Sequence, residues 1–193
     1  MAIDRGADYR GYVSWPHLYD ATGVHQFQVV LDQGLKPEHY MLDVGCGSLM
    51  SGRYFMIYLD PEHYHAVEPN TWLLDAACDH ELGWDILDVR QPQFYDFDDF
   101  KLSRLGRQYD YILAHSIFTH ASQRQVVTIM QEAYQIMHDK SLFLATYSAG
   151  PANNPSREWT YPGGVWYRHD FIEGAAREAG LAAERLPIHD HPA

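Results

Sequence analysis

Tyr40-Met41-Leu42-Asp43-Val44-Gly45-Cys46-Gly47-Ser48 is the stretch on which the fold turns. A short, mostly apolar run enters two glycines spaced by one residue, the pattern of a buried parallel strand leading into a tight turn. Glycine carries no Cβ, so a backbone built this way turns sharply and comes close to a ligand. Upstream, Lys36-Pro37 breaks the chain. Before the break, Leu18, Phe27, Val30 and Leu31 predict a helix over Pro16 to Gly34, with Gly34 as the residue just past its end. Residues 1–15 carry Tyr9, Tyr12 and Trp15 without a period and read as an ordered arm or lid rather than a core element.

Downstream, Tyr64 to Glu68 is the second strand, and a helix follows from Thr71 to about Leu82, with Thr71 or Asn70 as N-cap and Leu73, Leu74, Ala77 and Cys78 on one face. Trp84 to Val89 reads as a short strand. Gln91 to Phe100 alternates aromatic and acidic residues around Pro92 and reads as a long functional loop. Tyr109 to Ala114 is a strand, Ser122 to His138 a helix, Ser141 to Tyr147 a strand, and His169 to Ala179 a helix stopped by Gly180. Strands alternating with helices imply a doubly wound α/β fold, its sheet mostly parallel with helices on both faces. Ligands in such folds bind at the carboxyl ends of the strands.

At 193 residues, 46% of them apolar, the chain fits one domain, with an arm and helix over 1–34 and a core over 35–193. It contains no apolar run long enough to span a bilayer. The start, Met1 to Arg10, lacks a charged stretch followed by an apolar core, and a cytoplasmic location is the default. Two cysteines, Cys46 and Cys78, build no disulfide framework. With 26 acidic against 14 basic residues the net charge is -12, which repels phosphate backbones and disfavours nucleic acid as a substrate. Among 12 histidines, His189-Asp190-His191 invites a metal reading, but the spacing lacks the partners of a zinc site, and no metal is expected.

The first strand end excludes two nucleotide readings. A phosphate-binding Walker loop needs Gly-Lys-Ser/Thr, which is absent. A dinucleotide fingerprint wants a third glycine where Met50 stands, and Asp43 would sit badly beside a pyrophosphate. Asp43-Val44-Gly45-Cys46-Gly47 instead resembles the signature of class I S-adenosylmethionine-dependent methyltransferases, and the chain is most similar to the bacterial small-molecule type. Gly34-Leu35-Lys36-Pro37 and Ser116-Ile117-Phe118-Thr119-His120 add to that likeness. The resemblance implies that Gly45, Cys46 and Gly47 approach the amino-acid part of the cofactor and that Asp43 orients its amino group. The ligand has no phosphate, so an acid there is an asset. The family often has a further glycine where Leu49 stands, a place Gly52 is close enough to serve.

The second strand end is Glu68-Pro69-Asn70. A carboxylate only accepts hydrogen bonds, which suits Glu68 to grip both ribose hydroxyls. It follows Asp43 by 25 positions, comparable with the ~20 expected of the ribose acid in doubly wound folds. An acid before a helix is also an ordinary cap. By resemblance, an acid past the third strand bonds adenine, and Asp99 with Phe100 beside it is the choice. Ala114, His115, Ser116 and His120 line the gap between methyl group and acceptor, with His120 and His115 as candidate bases near neutral pH. The alternative role for these histidines is to help start the next helix, and Ser116 or Ser122 also fits a cap. Past Tyr147, the loop with Asn153, Asn154, Trp159, Tyr161, Gly163, Gly164, Trp166 and Tyr167 is placed to shape an acceptor pocket or else packs on itself.

The expected chemistry is methyl transfer from S-adenosylmethionine, leaving S-adenosylhomocysteine, to a small-molecule acceptor, with a hydroxyl oxygen of a sugar or natural product preferred. The alternatives are a cofactor-binding regulatory protein without turnover, an N- or carboxyl methyltransferase and, disfavoured by Met50, an NAD-dependent oxidoreductase. One departure stands out. Folds of this seven-stranded type end in an antiparallel hairpin, but only Leu181 to Ile188 remains for a sixth strand and five residues cannot make a seventh. Either the chain is cut short or the sheet edge is completed in another way, for example by a second subunit of a homodimer.

Overall fold

The computed structural model describes residues 8–186. They divide into two compact units, one running to Asp98 and the other beginning at Asp99.

The first unit opens with a one-turn helix α1 (Tyr9–Val13), whose N-terminus is capped by the Asp8 carboxylate accepting from the Gly11 N–H at 2.9 Å. A 3-10 turn (Pro16–Leu18) leads into α2 (Tyr19–Asp32), which Gly34 ends by donating to the Leu31 carbonyl at 2.8 Å, as the sequence predicts. Then come β1 (Met41–Val44), α3 (Gly52–Tyr58), β2 (Tyr64–Val67), α4 (Thr71–Ala77) with a π-turn over Cys78–Leu82, α5 (Asp85–Arg90) and β3 (Gln93–Tyr95). The helix expected over Thr71 to Leu82 is therefore α4 plus this widened turn. β2 lies between β1 and β3, parallel to both, pairing Val44 with Val67 and Val67 with Tyr95. Every residue of β1 and β2 is buried, the signature of strands covered on both faces. Tyr19, Met41, Leu42, Leu49, Phe55, Met56, Leu59 and Leu73 fill the interior of this unit.

Two sequence expectations are corrected here, and one is refined. Trp84 to Val89 is helical rather than extended, since α5 occupies Asp85–Arg90 and stops where Gln91 turns left-handed at φ 49 before Pro92. The loop over Gln91 to Phe100 contains strand β3, which the pairing with β2 stabilises although Gln93 is exposed and Phe94 and Tyr95 are only half-buried. The arm includes a helical turn, α1, held by the Asp8 cap rather than by any apolar period.

The second unit contains a 3-10 turn (Leu102–Leu105), β4 (Tyr109–Ala114), α6 (Gln123–Gln135), β5 (Met137–Ala145), β6 (Ser148–Ala149), β7 (Trp166–Tyr167) and α7 (His169–Glu178). β4 and β5 pair in parallel with a bulge, because Tyr109 faces Met137 while Tyr111 already faces Leu142. That bulge explains why the strand begins before the expected Ser141 and why α6 ends before His138. Ser122 and Gln125 form a reciprocal capping box at the start of α6, and Val126, Ile129, Met130 and Ala133 bury one helical stripe. The Leu181 N–H bonds back to the Ala176 carbonyl past Gly180, closing α7. Residues 181–186 form no strand, and the rest of the expected sixth strand, like His189-Asp190-His191, lies outside the described residues. Parallel strands alternating with helices make the fold doubly wound α/β. No helix among the described residues is long and apolar enough to cross a membrane.

Candidate cofactor and acceptor residues

Asp43 sits at the penultimate position of β1, 3% exposed, and its Oδ2 accepts the Tyr64 hydroxyl from β2 at 2.9 Å. Burial pushes its carboxyl from the usual 3.8 up to about 7. The Tyr64 bond lowers it, and the neighbouring Glu68 charge raises it further. Gly52 makes that contact possible: a Cβ there would stand 2.3 Å from the Tyr64 hydroxyl. The further left-handed position of the loop is held by Leu49 itself, buried at φ 57.

The turn after β1 is stapled to the end of β2, with the Gly45 and Cys46 N–H groups donating to the Val67 carbonyl at 2.8 and 3.3 Å. Gly47 adopts φ 56, and a Cβ on it would lie 2.6 Å from Cγ1 of Val13. The arm therefore rests directly on the glycine turn. Cys46 is buried, and its thiol is pushed up by burial and by the Asp43 and Glu68 carboxylates, so it stays a neutral thiol.

Glu68 follows β2 and is 6% exposed. Its Oε2 accepts the Gly47 N–H at 3.0 Å, while Oε1 accepts both the backbone and side-chain N–H of Asn70 at 2.8 Å. The acid thus ties the glycine turn to the start of α4, with Pro69 exposed between them. The donor set fits a phosphate-free cation with vicinal hydroxyls: two carboxylates at the ends of adjacent strands and a glycine cradle too tight for a Cβ. The Glu68 oxygens keep lone pairs for hydroxyl donors, and a pyrophosphate would be repelled.

The arm is held by ions as well. Glu81, its side chain 7% exposed, accepts from the Tyr9 hydroxyl at 2.6 Å, from Arg10 Nε at 2.7 Å and from Arg53 Nη1 at 2.5 Å. Asp20 completes the network with Arg10 and Arg53.

In the second unit β4 ends at buried Ala114. Ser116 takes the left-handed φ of 58, donates its N–H to Thr146 Oγ1 at 2.7 Å and keeps its hydroxyl 3.0 Å from His115 Nδ1. A strained residue at a strand end is a common mark of a working site. His120 places Nδ1 2.8 Å from the Gly163 carbonyl. A carbonyl only accepts, so Nδ1 carries a hydrogen, and in the neutral ring the lone pair is on Nε2. Trp159 and Tyr161 stand 5.6 and 5.3 Å from the imidazole, centroid to centroid. Asp99 accepts the Lys101 N–H at 3.2 Å and pairs with Arg104 at 2.5 Å, and Phe100 stands 6.1 Å from Trp159.

Tyr64, Asn70, Val13 and the Gly163 carbonyl are the contacts that the sequence does not announce. Asn70 is local to Glu68, two residues on, and donates back to its carboxylate. The others depend on strand register or chain reversal.

Residues 42–143 match the family model described as a methyltransferase domain, and the chain belongs to that family. It is an S-adenosylmethionine-dependent methyltransferase. Solved structures share the fold. The magnesium protoporphyrin IX methyltransferase of Synechocystis with bound S-adenosylhomocysteine aligns over 88% of this chain and 76% of its own, with TM-score 0.63 and 12% identity. The CcbJ methyltransferase of Streptomyces caelestis gives 0.64 at 14% identity, over 92% and 87% of the two chains. The sugar N-methyltransferase KedS8 of Streptoalloteichus gives 0.61 at 15%, over 92% and 84%. No curated protein matches the sequence.

Proposed function

We propose that this methyltransferase acts on a small-molecule acceptor through a hydroxyl oxygen, of a sugar or other natural product, with His120 as general base. When bound, S-adenosylmethionine supplies a methyl group already activated on a sulfonium. Asp43 holds its ammonium, Gly45 to Gly47 pass along its amino-acid part, and Glu68 takes the ribose hydroxyls. Asp99 and Phe100 are the candidates for the adenine end, while Ala114 and His115 line the transfer gap.

What the chain must add is alignment and removal of one proton. Alignment is worth several kcal/mol of prepaid entropy, on the order of 7–11 in well-oriented intramolecular reactions. The proton goes to Nε2 of His120. The observation that carries this reading is the bond from His120 Nδ1 to the Gly163 carbonyl, which fixes the tautomer a base requires. Neighbours of the same fold include a porphyrin and a sugar N-methyltransferase, so the acceptor rests on this chain's own residues.

Titration calorimetry with S-adenosylhomocysteine on wild type and Glu68→Ala tests the cofactor grip, with micromolar binding expected to collapse in the variant. Methyl transfer to a panel of hydroxyl, amine and carboxylate acceptors then tests the base. His120→Ala should lower kcat about 10²- to 10⁴-fold on hydroxyls only. Full activity of that variant on a hydroxyl acceptor would remove His120 from the mechanism.

A further inference from the structure

We infer that the acceptor is a phenol: a flat aromatic ring seated against Trp159 and Tyr161 presents its hydroxyl to Nε2 of His120. This rests on the reading of His120 as the base and narrows the acceptor within it.

Three observations converge. The first is a run of rings, Phe100, Trp159, His120 and Tyr161, with neighbouring centroids 6.1, 5.6 and 5.3 Å apart. Trp159 is 39% exposed, so its surface is open to a ligand rather than consumed by packing. Aromatic rings of a ligand stack on such surfaces or meet them edge to face.

The second is rigidity at an otherwise exposed loop. The Thr160 N–H donates to the His120 carbonyl at 2.9 Å and the Val165 N–H to the Thr119 carbonyl at 2.7 Å. At the base of the loop, buried Asn154 donates to the Ala121 carbonyl at 3.2 Å, and the Tyr167 hydroxyl reaches the same oxygen at 2.5 Å. The rings are preorganised around the imidazole, which lowers the entropy cost of binding a rigid ligand.

The third is the chemistry of the base. His120 is oriented by a carbonyl through Nδ1, which leaves Nε2 as the nitrogen that takes a proton when the ring is neutral. A phenol ionises near pH 10 and a water-like hydroxyl near 15.7, so the phenol is about 10⁵- to 10⁶-fold easier for an imidazole to deprotonate. An amine acceptor carries its own lone pair and needs no oriented base. In the step, the phenol proton passes to Nε2 and its bonding pair stays on oxygen. The C–O bond forms as the methyl–sulfur bond breaks, and that pair remains on sulfur, leaving the neutral thioether. The imidazolium then releases its proton to water.

The test uses 2-naphthol, decahydro-2-naphthol, 2-naphthylamine and methyl glucoside against the protein saturated with S-adenosylhomocysteine, binding read by calorimetry without turnover. 2-Naphthol should bind about five- to tenfold tighter than its saturated analogue. Trp159→Leu should abolish that preference, and Trp159→Tyr, which keeps a ring, should restore most of it. With S-adenosylmethionine, 2-naphthol should be methylated on oxygen, and kcat should fall about 10²- to 10⁴-fold in His120→Asn while its binding is kept. Equal binding of the saturated alcohol or the glucoside, faster methylation of the amine, or an unchanged preference in Trp159→Leu would overturn the phenol. A folded wild type that binds no S-adenosylhomocysteine would overturn the cofactor reading beneath it.

Discussion

Asp43→Asn should make the ligand-free protein more stable at alkaline pH and a poorer binder of its cofactor. The native carboxyl titrates near 7 instead of 3.8, chiefly because it is buried. The folded chain therefore keeps a proton that the unfolded chain releases, and stability is lost as pH rises from about 4 to about 7. At 1.36 kcal/mol per pH unit, the gap of roughly three units amounts to about 4 kcal/mol once the group is fully ionised. Asparagine carries no such loss, and its carbonyl can still accept the Tyr64 hydroxyl. For a chain of this size, about 2–4 °C of Tm per kcal/mol turns the difference into roughly 10 °C. Melts without cofactor at pH 5 and pH 8 read it: the variant's advantage should be about a third of its full value at pH 5 and near its full value at pH 8. Binding should move the other way, with S-adenosylhomocysteine weakened about 10- to 150-fold by loss of a charge-assisted bond worth about 1.5–3 kcal/mol. A variant equally destabilised at both pH values would refute the picture of a buried acid kept for its ligand.

Four further outcomes follow from the same geometry. Wild-type affinity for S-adenosylhomocysteine should fall about tenfold per pH unit below 7 as Asp43 protonates, checked by calorimetry from pH 5.5 to 7.5. Glu68→Gln loses one acceptor and the charge, so the Kd should rise about tenfold or more with the fold intact by circular dichroism. Gly52→Ala should push Tyr64 off Asp43 at a cost of about 1–3 kcal/mol in thermal unfolding. Glu81→Gln removes the more buried of the two counter-ions that Arg53 and Arg10 share and leaves them Asp20 alone. A loss of about 3 kcal/mol is expected by denaturant titration, and Arg53→Met in the same chain should recover part of it.

What the sequence disclosed was local. β1 and its turn, β2, the cap at Ser122 and the stops at Gly34 and Gly180 all write their signals within a few residues. The misread stretches lacked such signals. α5 is six residues long, too short for a helical period to emerge from Ile86, Leu87 and Val89, whose composition suits a strand equally well. β3 is three residues at the edge of its ladder, and the partner strand rather than its own pattern makes it extended. In β5 the bulge near Tyr109 shifted the apparent start. In the candidate site, Asp43 and Glu68 were named from chain position. The Tyr64 hydroxyl on Asp43, like Val13 above Gly47, belongs to register and chain reversal, which no linear spacing encodes, whereas Asn70 lies two residues from the Glu68 it bonds.

The partner of His120 is a main-chain oxygen, Gly163 O, and the neighbouring loop is pinned through the backbone groups of Thr160 and Val165. No side-chain replacement can delete a carbonyl. Drift at positions 157–161 can therefore reshape the proposed acceptor surface while the bond from Nδ1 of the histidine to the carbonyl is kept. In such a loop, change of substrate is separable from loss of chemistry, and a library varied at Trp159 and Tyr161 alone is the natural starting point for retargeting this enzyme.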